Sequence, residues 1–217
     1  NIKEANYIIS LGGLNKKITF PQDKIIVLQR EPNILNQFKN TTPLSYSYTK
    51  LHHAWTHPEH MQLTYDNFQQ LQYQGKIKHQ KLSTITSMRT HTIGCKQRIA
   101  FIEQFCKHYP GVMDVYGAQW DNRLGVNYKG ELPFHNLNGE NQRFSNTPII
   151  SKYNGLQTYQ YSLCIENSCY PNYFTEKITD SLLSWTIPIY FGCTNIDNYF
   201  PEDSYYWIDC INVHSKT

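Results

Sequence analysis

Residues 159–192, YQYSLCIENSCYPNYFTEKITDSLLSWTIPIYFG, constrain this chain more than any other stretch. Tyr159–Ile165 is an apolar and aromatic run of strand length, stopped by the polar triplet Glu166-Asn167-Ser168, which suits a turn. Thr175 is placed to cap a helix that starts at Glu176, with Ile178, Leu182 and Trp185 along one face. Ile187–Phe191 reads as a second buried strand, in which Pro188 is tolerated near the start, and Gly192 ends it. A helix joining two apolar strands is a βαβ unit, and such a unit implies a parallel sheet covered on both faces. Ligands of these sheets sit at the carboxyl ends of the strands. Lys177 falls at that end, in the first turn of the helix, where a cation opposes the macrodipole by roughly 0.3–1 kcal/mol. An anion held jointly by the ammonium and the free helix N–H groups would offset this cost. A lysine on an exposed, solvated turn would explain it too. Spacing alone leaves both readings open.

A second unit of the same kind precedes the first. Lys81–Met88 is a weak strand rich in serine and threonine, and a helix is predicted over Gly94–His108, with Cys95, Ile99, Ile102 and Cys106 on one face. Its first turns carry Lys96 and Arg98, again cations where the dipole prefers acids. Two neighbouring units with basic helix starts are what a diphosphate cleft needs, whereas one alone would carry no weight. Val112–Tyr116 is the next strand. The stretch 118–150, rich in Asn and Gly, is predicted as a long loop, functional or mobile as loops of that length usually are. Arg123 within it is a weaker phosphate candidate.

Toward the amino terminus, Tyr7–Leu11 and Lys24–Gln29 are short strands, the first ended by Gly12-Gly13 and the second by Arg30-Glu31-Pro32. Glu31 stands at the carboxyl end of its strand, where a carboxylate can act as general base or simply cap or face solvent. Residues 40–80 are polar and aromatic. Four histidines, 52, 53, 57 and 60, raise a metal question, but Pro58 interrupts any helix and no cysteine or carboxylate set completes a site. A short helix is expected over 64–75 and a linker over 72–80. The chain of 217 residues therefore divides into a partial domain, 1–76, and a second domain, 77–217.

A net charge of +3 without a basic stripe gives no reason to expect nucleic acid as a partner. No run approaches the ~20 apolar residues that span a bilayer, and no signal-peptide pattern is present. The chain begins at Asn1, so membrane association is expected only through segments outside it. The six cysteines, 95, 106, 164, 169, 193 and 210, form no CxxC pair, and their number does not settle the compartment. Cys164 and Cys193 lie on or beside buried strands and suit small hydrophobic roles. Asn40-Thr41-Thr42 is a formal glycosylation sequon.

The segment ENSCYPNYFTEKITDSLLSWTIPIYFG resembles the signature of glycosyltransferase family 10, the α1,3/4-fucosyltransferases: EN(S/T), a short gap, Y(V/I/F)TEK(I/L), an apolar helix, then (I/V)P(I/V)xxG. Asn198–Tyr205 followed by Trp207-Ile208-Asp209 is similar to the family's continuation, and VMDVYG to its VDVYG element. The similarity is dense over about residues 80–210 and thin before that. The 118–150 stretch departs from the short connection common in the family and reads as an insertion at the acceptor or donor rim.

The resemblance implies an α/β fold of GT-B type, two Rossmann-like parallel-sheet domains facing a cleft, with the N-terminal, acceptor-side domain incomplete. It implies an inverting transfer of L-fucose from GDP-fucose to a sugar hydroxyl of a glycan acceptor. Glu31 matches the family's strand-end base before a proline. Arg98, with Arg89 in reserve, matches its phosphate-binding arginine. Asn167, Tyr173, Glu176 and Lys177 match donor-site positions, with Glu176 expected on sugar hydroxyls, ribose above all. No DxD sequence occurs, so a cationic clamp stands where many nucleotide-sugar enzymes use a metal. No cofactor is implied, although metal stimulation is compatible. Localisation would be Golgi and membrane-anchored in a eukaryote, cytoplasmic or peripheral in a bacterium. Two rivals share these features: a GT-B enzyme with another nucleotide-sugar donor, exostosin-like enzymes having a similar acidic residue and helix, and a catalytically silent domain that binds nucleotide sugar or glycan. The Y-x-T-E-K block favours fucose.

Overall fold

The computed structural model describes residues 8–11, 25–28, 45–46, 78–120, 123–132, 134–135, 149–150 and 152–209. Three short strands, β1 (Ile8–Leu11), β2 (Ile25–Leu28) and β3 (Ser45–Tyr46), form a parallel sheet in that order. Ile8 is paired with Ile25 and Val27 with Ser45. The first two lie within the runs the sequence predicts. The histidine cluster, the 64–75 helix, the linker and the domain boundary near 76 lie outside the described residues, as does Glu31.

From residue 78 onward the chain builds a five-stranded parallel sheet. Its members are β4 (Gln80–Ile85), β5 (Met113–Tyr116), β8 (Tyr159–Ile165), β9 (Ile187–Phe191) and β10 (Tyr206–Trp207), in the spatial order β10-β9-β8-β4-β5. Helix α1 (Ile93–His108) connects β4 to β5, and helix α2 (Glu176–Leu183) connects β8 to β9. Strand order therefore runs outward in opposite directions from the neighbours β4 and β8. That makes the gap between their carboxyl ends the topological switch point, where an α/β sheet leaves room for a ligand.

The two helices cover opposite faces, as the alternation of side chains along β8 requires. Leu163 and Ile165 join α1 residues Ile99, Ile102 and Cys106 in one core, with Met113, Val115 and Trp120. Cys164 joins Phe174, Ile178, Tyr190 and Ile196 in the other, on the α2 side. The five described cysteines are unpaired, and burial pushes the thiols of Cys106 and Cys164 up to about 11.

β4 is central despite its serines and threonines because their hydroxyls are satisfied by backbone. Ser83 Oγ donates to Gly155 O at 2.9 Å and Thr84 Oγ1 to Leu163 O at 2.9 Å. Pro188 is tolerated because β10 reaches only Ile189 and Tyr190, leaving no ladder donor to supply on that side. The 118–150 stretch is not one featureless loop. It contains a 3-10 turn, Gly125–Asn127, and the antiparallel pair β6 (Phe134–His135) and β7 (Ile149–Ile150). Trp185 does not share the α2 face. The helix stops at Leu183, and Trp185 turns away with φ +54° and 51% exposure.

Candidate functional site

At the carboxyl end of β8 the apolar run gives way to Glu166, and this residue is not a solvated turn. It is 1% exposed. Its Oε1 accepts from the Thr175 backbone N–H at 2.7 Å, and its Oε2 from Lys177 Nζ at 3.0 Å. Thr175 adopts the extended N-cap conformation, yet its hydroxyl does not cap α2. It donates instead to the Glu166 carboxylate, at 2.8 Å from Oε2, and accepts from Lys177 Nζ at 2.8 Å. The anion expected beside Lys177 is thus present as the chain's own carboxylate, set against the start of α2. Burial alone would lower the Lys177 pKa, but Glu166 and Glu176 outweigh it and hold the ammonium above its ordinary value.

Arg98 comes from the second turn of α1. Helical side chains lean toward the amino terminus, and this lean carries it to the same strand end. It is 6% exposed, and Nη1 donates to Asn167 Oδ1 at 2.9 Å and to Ile165 O at 3.3 Å. Burial lowers its pKa while Cys95 and Glu166 oppose the change, and a guanidinium stays charged regardless. Asn167 is locked to α1 from two more sides. Its carbonyl accepts from Thr92 Oγ1 at 3.1 Å, and a Cβ on Gly94 would lie 1.9 Å from that oxygen, so only glycine lets the helix start so close. Thr92 also caps α1, accepting from Cys95 N at 2.9 Å.

Between the β4 and β8 ends and α2 lies a cleft of about 90 Å³, lined among others by Thr84, Thr86, Arg98, Lys152, Glu176 and Lys177. Glu176 Oε1 accepts from Lys152 Nζ at 3.1 Å, and Asp180 Oδ2 accepts from the same ammonium at 2.9 Å. Burial would raise the Glu176 pKa, but Lys177 and Lys152 overcome it and hold the carboxyl down to about 2. Arg98, Lys152 and Lys177 are matched in charge by Glu166, Glu176 and Asp180. Two buried atoms on this lining, Arg98 Nε and Thr86 Oγ1, have no hydrogen-bond partner among the described residues.

Four of the five described candidates therefore meet around one strand end: Arg98, Asn167, Glu176 and Lys177. Tyr173 is buried close behind them, at 1% exposure, near enough to Arg98 to influence its charge. The other cations go elsewhere. Arg89 and Lys96 are exposed, and Arg123 sits 3.5 Å from Glu103 on a separate groove beyond α1. Glu166 and Lys152 are the residues that sequence reasoning missed. A carboxylate directly after a buried strand was a readable signal for Glu166, the same one used for Glu31. Lys152 gave none, because only the fold brings it to α2. Among the described residues no group of three His, Cys, Asp or Glu is placed to hold a metal ion.

Residues 77–215 match the family profile described as "Glycosyltransferase family 10 (fucosyltransferase) C-term". The chain is similar to alpha-(1,3)-fucosyltransferase B of Drosophila melanogaster, 30% identical over 103 residues, which are 48% of this chain and 20% of that protein. It is also similar to the alpha-(1,3)-fucosyltransferase of Helicobacter pylori, 39% identical over 66 residues, 30% of this chain and 13% of that one. A crystal structure of an alpha1,3-fucosyltransferase with GDP-fucose aligns over 95% of this chain and 54% of its own, at 19% identity and a TM-score of 0.39. The chain thus spans about half of that solved structure, and the matched stretches are a fifth or less of the two named relatives.

Proposed function

The chain belongs to glycosyltransferase family 10, and on that premise we propose that residues 77–217 form the GDP-fucose-binding half of an inverting α1,3-fucosyltransferase-like enzyme. The observation that carries this reading is the convergence of Arg98 and Lys177 on the switch point between β4 and β8. The donor diphosphate would lie across that end of the sheet. Arg98 Nε and Thr86 Oγ1, buried and without a hydrogen-bond partner among the described residues, are groups that a bound oxygen-rich ligand would satisfy. As the bond between the anomeric carbon and phosphate breaks, the leaving GDP gains negative charge, which Arg98 and Lys177 are placed to stabilise. Glu176, ionised and on the cleft wall, would accept from sugar hydroxyls, while Asn167 and Tyr173 would hold Arg98 and the α2 approach in place.

In the same reading residues 1–76 are the acceptor-side domain and Glu31 is the general base. It would take the proton of the acceptor hydroxyl as that oxygen attacks with inversion, which requires hydrogen-bond reach at that moment. The acceptor is a glycan hydroxyl. The two-domain GT-B arrangement is part of this proposal. Glu31→Gln tests it: turnover of GDP-fucose with a glycan acceptor should fall by at least about a hundredfold, in the range of general-base contributions, with donor affinity kept. Unchanged turnover would remove Glu31 from the mechanism.

A further inference from the structure

The Lys152 ammonium lies between two carboxylates one helical turn apart on α2, 3.1 Å from Glu176 and 2.9 Å from Asp180. It comes from the 3-10 turn Lys152–Gly155, which leads into β8 from the side opposite the strand's functional end. This is a long reach for a surface lysine to make by accident, and the group is not a surface pair. Lys152 is 18% exposed in its side chain and Asp180 only 3%. Asp180 also borders the cleft, as do Glu176 and Lys177.

We propose that Lys152 is a positioning residue of the donor cleft: by tying Glu176 to Asp180 it fixes the first turn of α2 and keeps Glu176 an acceptor-only carboxylate for donor hydroxyls. The proposal rests on the donor-binding reading of the cleft. Lys177 has the larger charge effect on Glu176, and Lys152 adds to it both a charge and a direct hydrogen bond. The Lys177 ammonium, from the same helix, donates instead to Glu166, just past β8, and to Thr175. Arg98, from α1, is engaged by Asn167 and the Ile165 carbonyl. Asp180, one turn further along α2, shares the Lys152 ammonium with Glu176. Without Lys152 the two α2 carboxylates face each other in a buried setting with one shared, distracted cation. One of them would then take up a proton at a milder pH, because like charges at close range disfavour joint ionisation.

The sign follows from the direction. A carboxyl held at about 2, below its ordinary 4.5, stays ionised through the mildly acidic range, and loses its charge only as pH falls toward 2. Removing Lys152 moves that loss upward. Lys152→Met alone takes both the charge and the hydrogen bonds from two buried carboxylates and can fail to fold, so the informative variant is Lys152→Gln, which removes the charge and keeps a donor, beside Lys152→Arg as the charge-keeping control. Two measurements are needed. The first is the side-chain carboxyl 13C titration of Glu176 in the chain without ligand, assigned with Glu176→Gln. The second is the GDP-fucose Kd of variant over wild type at each pH from 7 down through the variant's own Glu176 midpoint, a ratio in which the ligand's own titration cancels.

The Glu176 midpoint should rise by at least about one pH unit in Lys152→Gln and stay near the wild-type value in Lys152→Arg. The Kd ratio should grow toward about tenfold as pH falls through that midpoint, the worth of one charge-assisted hydrogen bond. A Glu176 midpoint that does not move, or a Kd ratio constant through the variant's own midpoint, would overturn the positioning role and leave Lys152 a structural tether. Absence of GDP-fucose binding by the wild type is a different failure: it would reject the donor reading, while the carboxyl titration would still decide what Lys152 does to Glu176.

Discussion

Glu166 and Lys177 act as one unit at the residue scale. The carboxylate is inaccessible and the ammonium is 20% exposed, so removing one partner does not simply delete a contact. It strands a buried charge, which costs about 3–5 kcal/mol where the surviving group cannot reach water. Lys177→Ala should therefore destabilise the chain by about that amount in urea unfolding. Glu166→Gln with Lys177→Met should recover most of the loss, since a neutral amide oxygen can still accept from Thr175. A Lys177→Ala variant within about 1 kcal/mol of wild type would mean that the pair behaves as a solvated one, contrary to its burial. At this scale the sequence was legible in part. Lys177 and Arg98 could be picked out as cations at helix starts beside strand ends, and Asn167 and Glu176 through the family resemblance. The identity of their partners could not, because Glu166 reads locally as a turn residue and Lys152 belongs to a distant stretch.

At the scale of elements, the strand end is shaped as much by what is missing as by what is present. Gly192 follows β9 where a Cβ would lie 2.4 Å from Glu166 Cγ and 2.7 Å from its Cβ. Neither atom is the far end of a flexible side chain, so the carboxylate would have to move as a whole. Gly192→Ala should cost about 1–3 kcal/mol by overpacking. It should also weaken GDP binding, because displacing Glu166 displaces Lys177. Wild-type stability and affinity in this variant would show that the β9 turn has slack the packing does not reveal. Most elements were legible because hydrophobic period and length agree: β8 and β9 have the predicted bounds, and α1 starts one residue earlier than expected. The failures are informative. β4 looked marginal because its hydroxyls were counted as polar, although backbone carbonyls satisfy them, as at Ser83 and Thr84. The α2 face was drawn one residue pair too long, since Ser184 and Trp185 complete a turn rather than a helix.

At the scale of the whole molecule, the cleft is electrically balanced before any ligand arrives, three cations against three carboxylates. On the proposed reading, a nucleotide diphosphate would have to compete with Glu166 for Lys177 and with Asn167 for Arg98, so affinity would report how readily these partners yield. βα alternation made the parallel sheet foreseeable, and the signature over 166–192 made the family foreseeable. Acceptor recognition was not, because no periodicity or motif organises residues 32–80. The most direct measurement of the central claim is calorimetric titration of the chain with GDP, GDP-fucose and UDP, repeated on the Glu166→Gln, Lys177→Met double variant, which removes the cation without stranding a buried charge. The account predicts micromolar GDP and GDP-fucose binding, weakened at least about tenfold in the variant by loss of a charge-assisted contact, and no heat with UDP. A folded chain that binds no GDP, or that binds it equally well without Lys177, would contradict it.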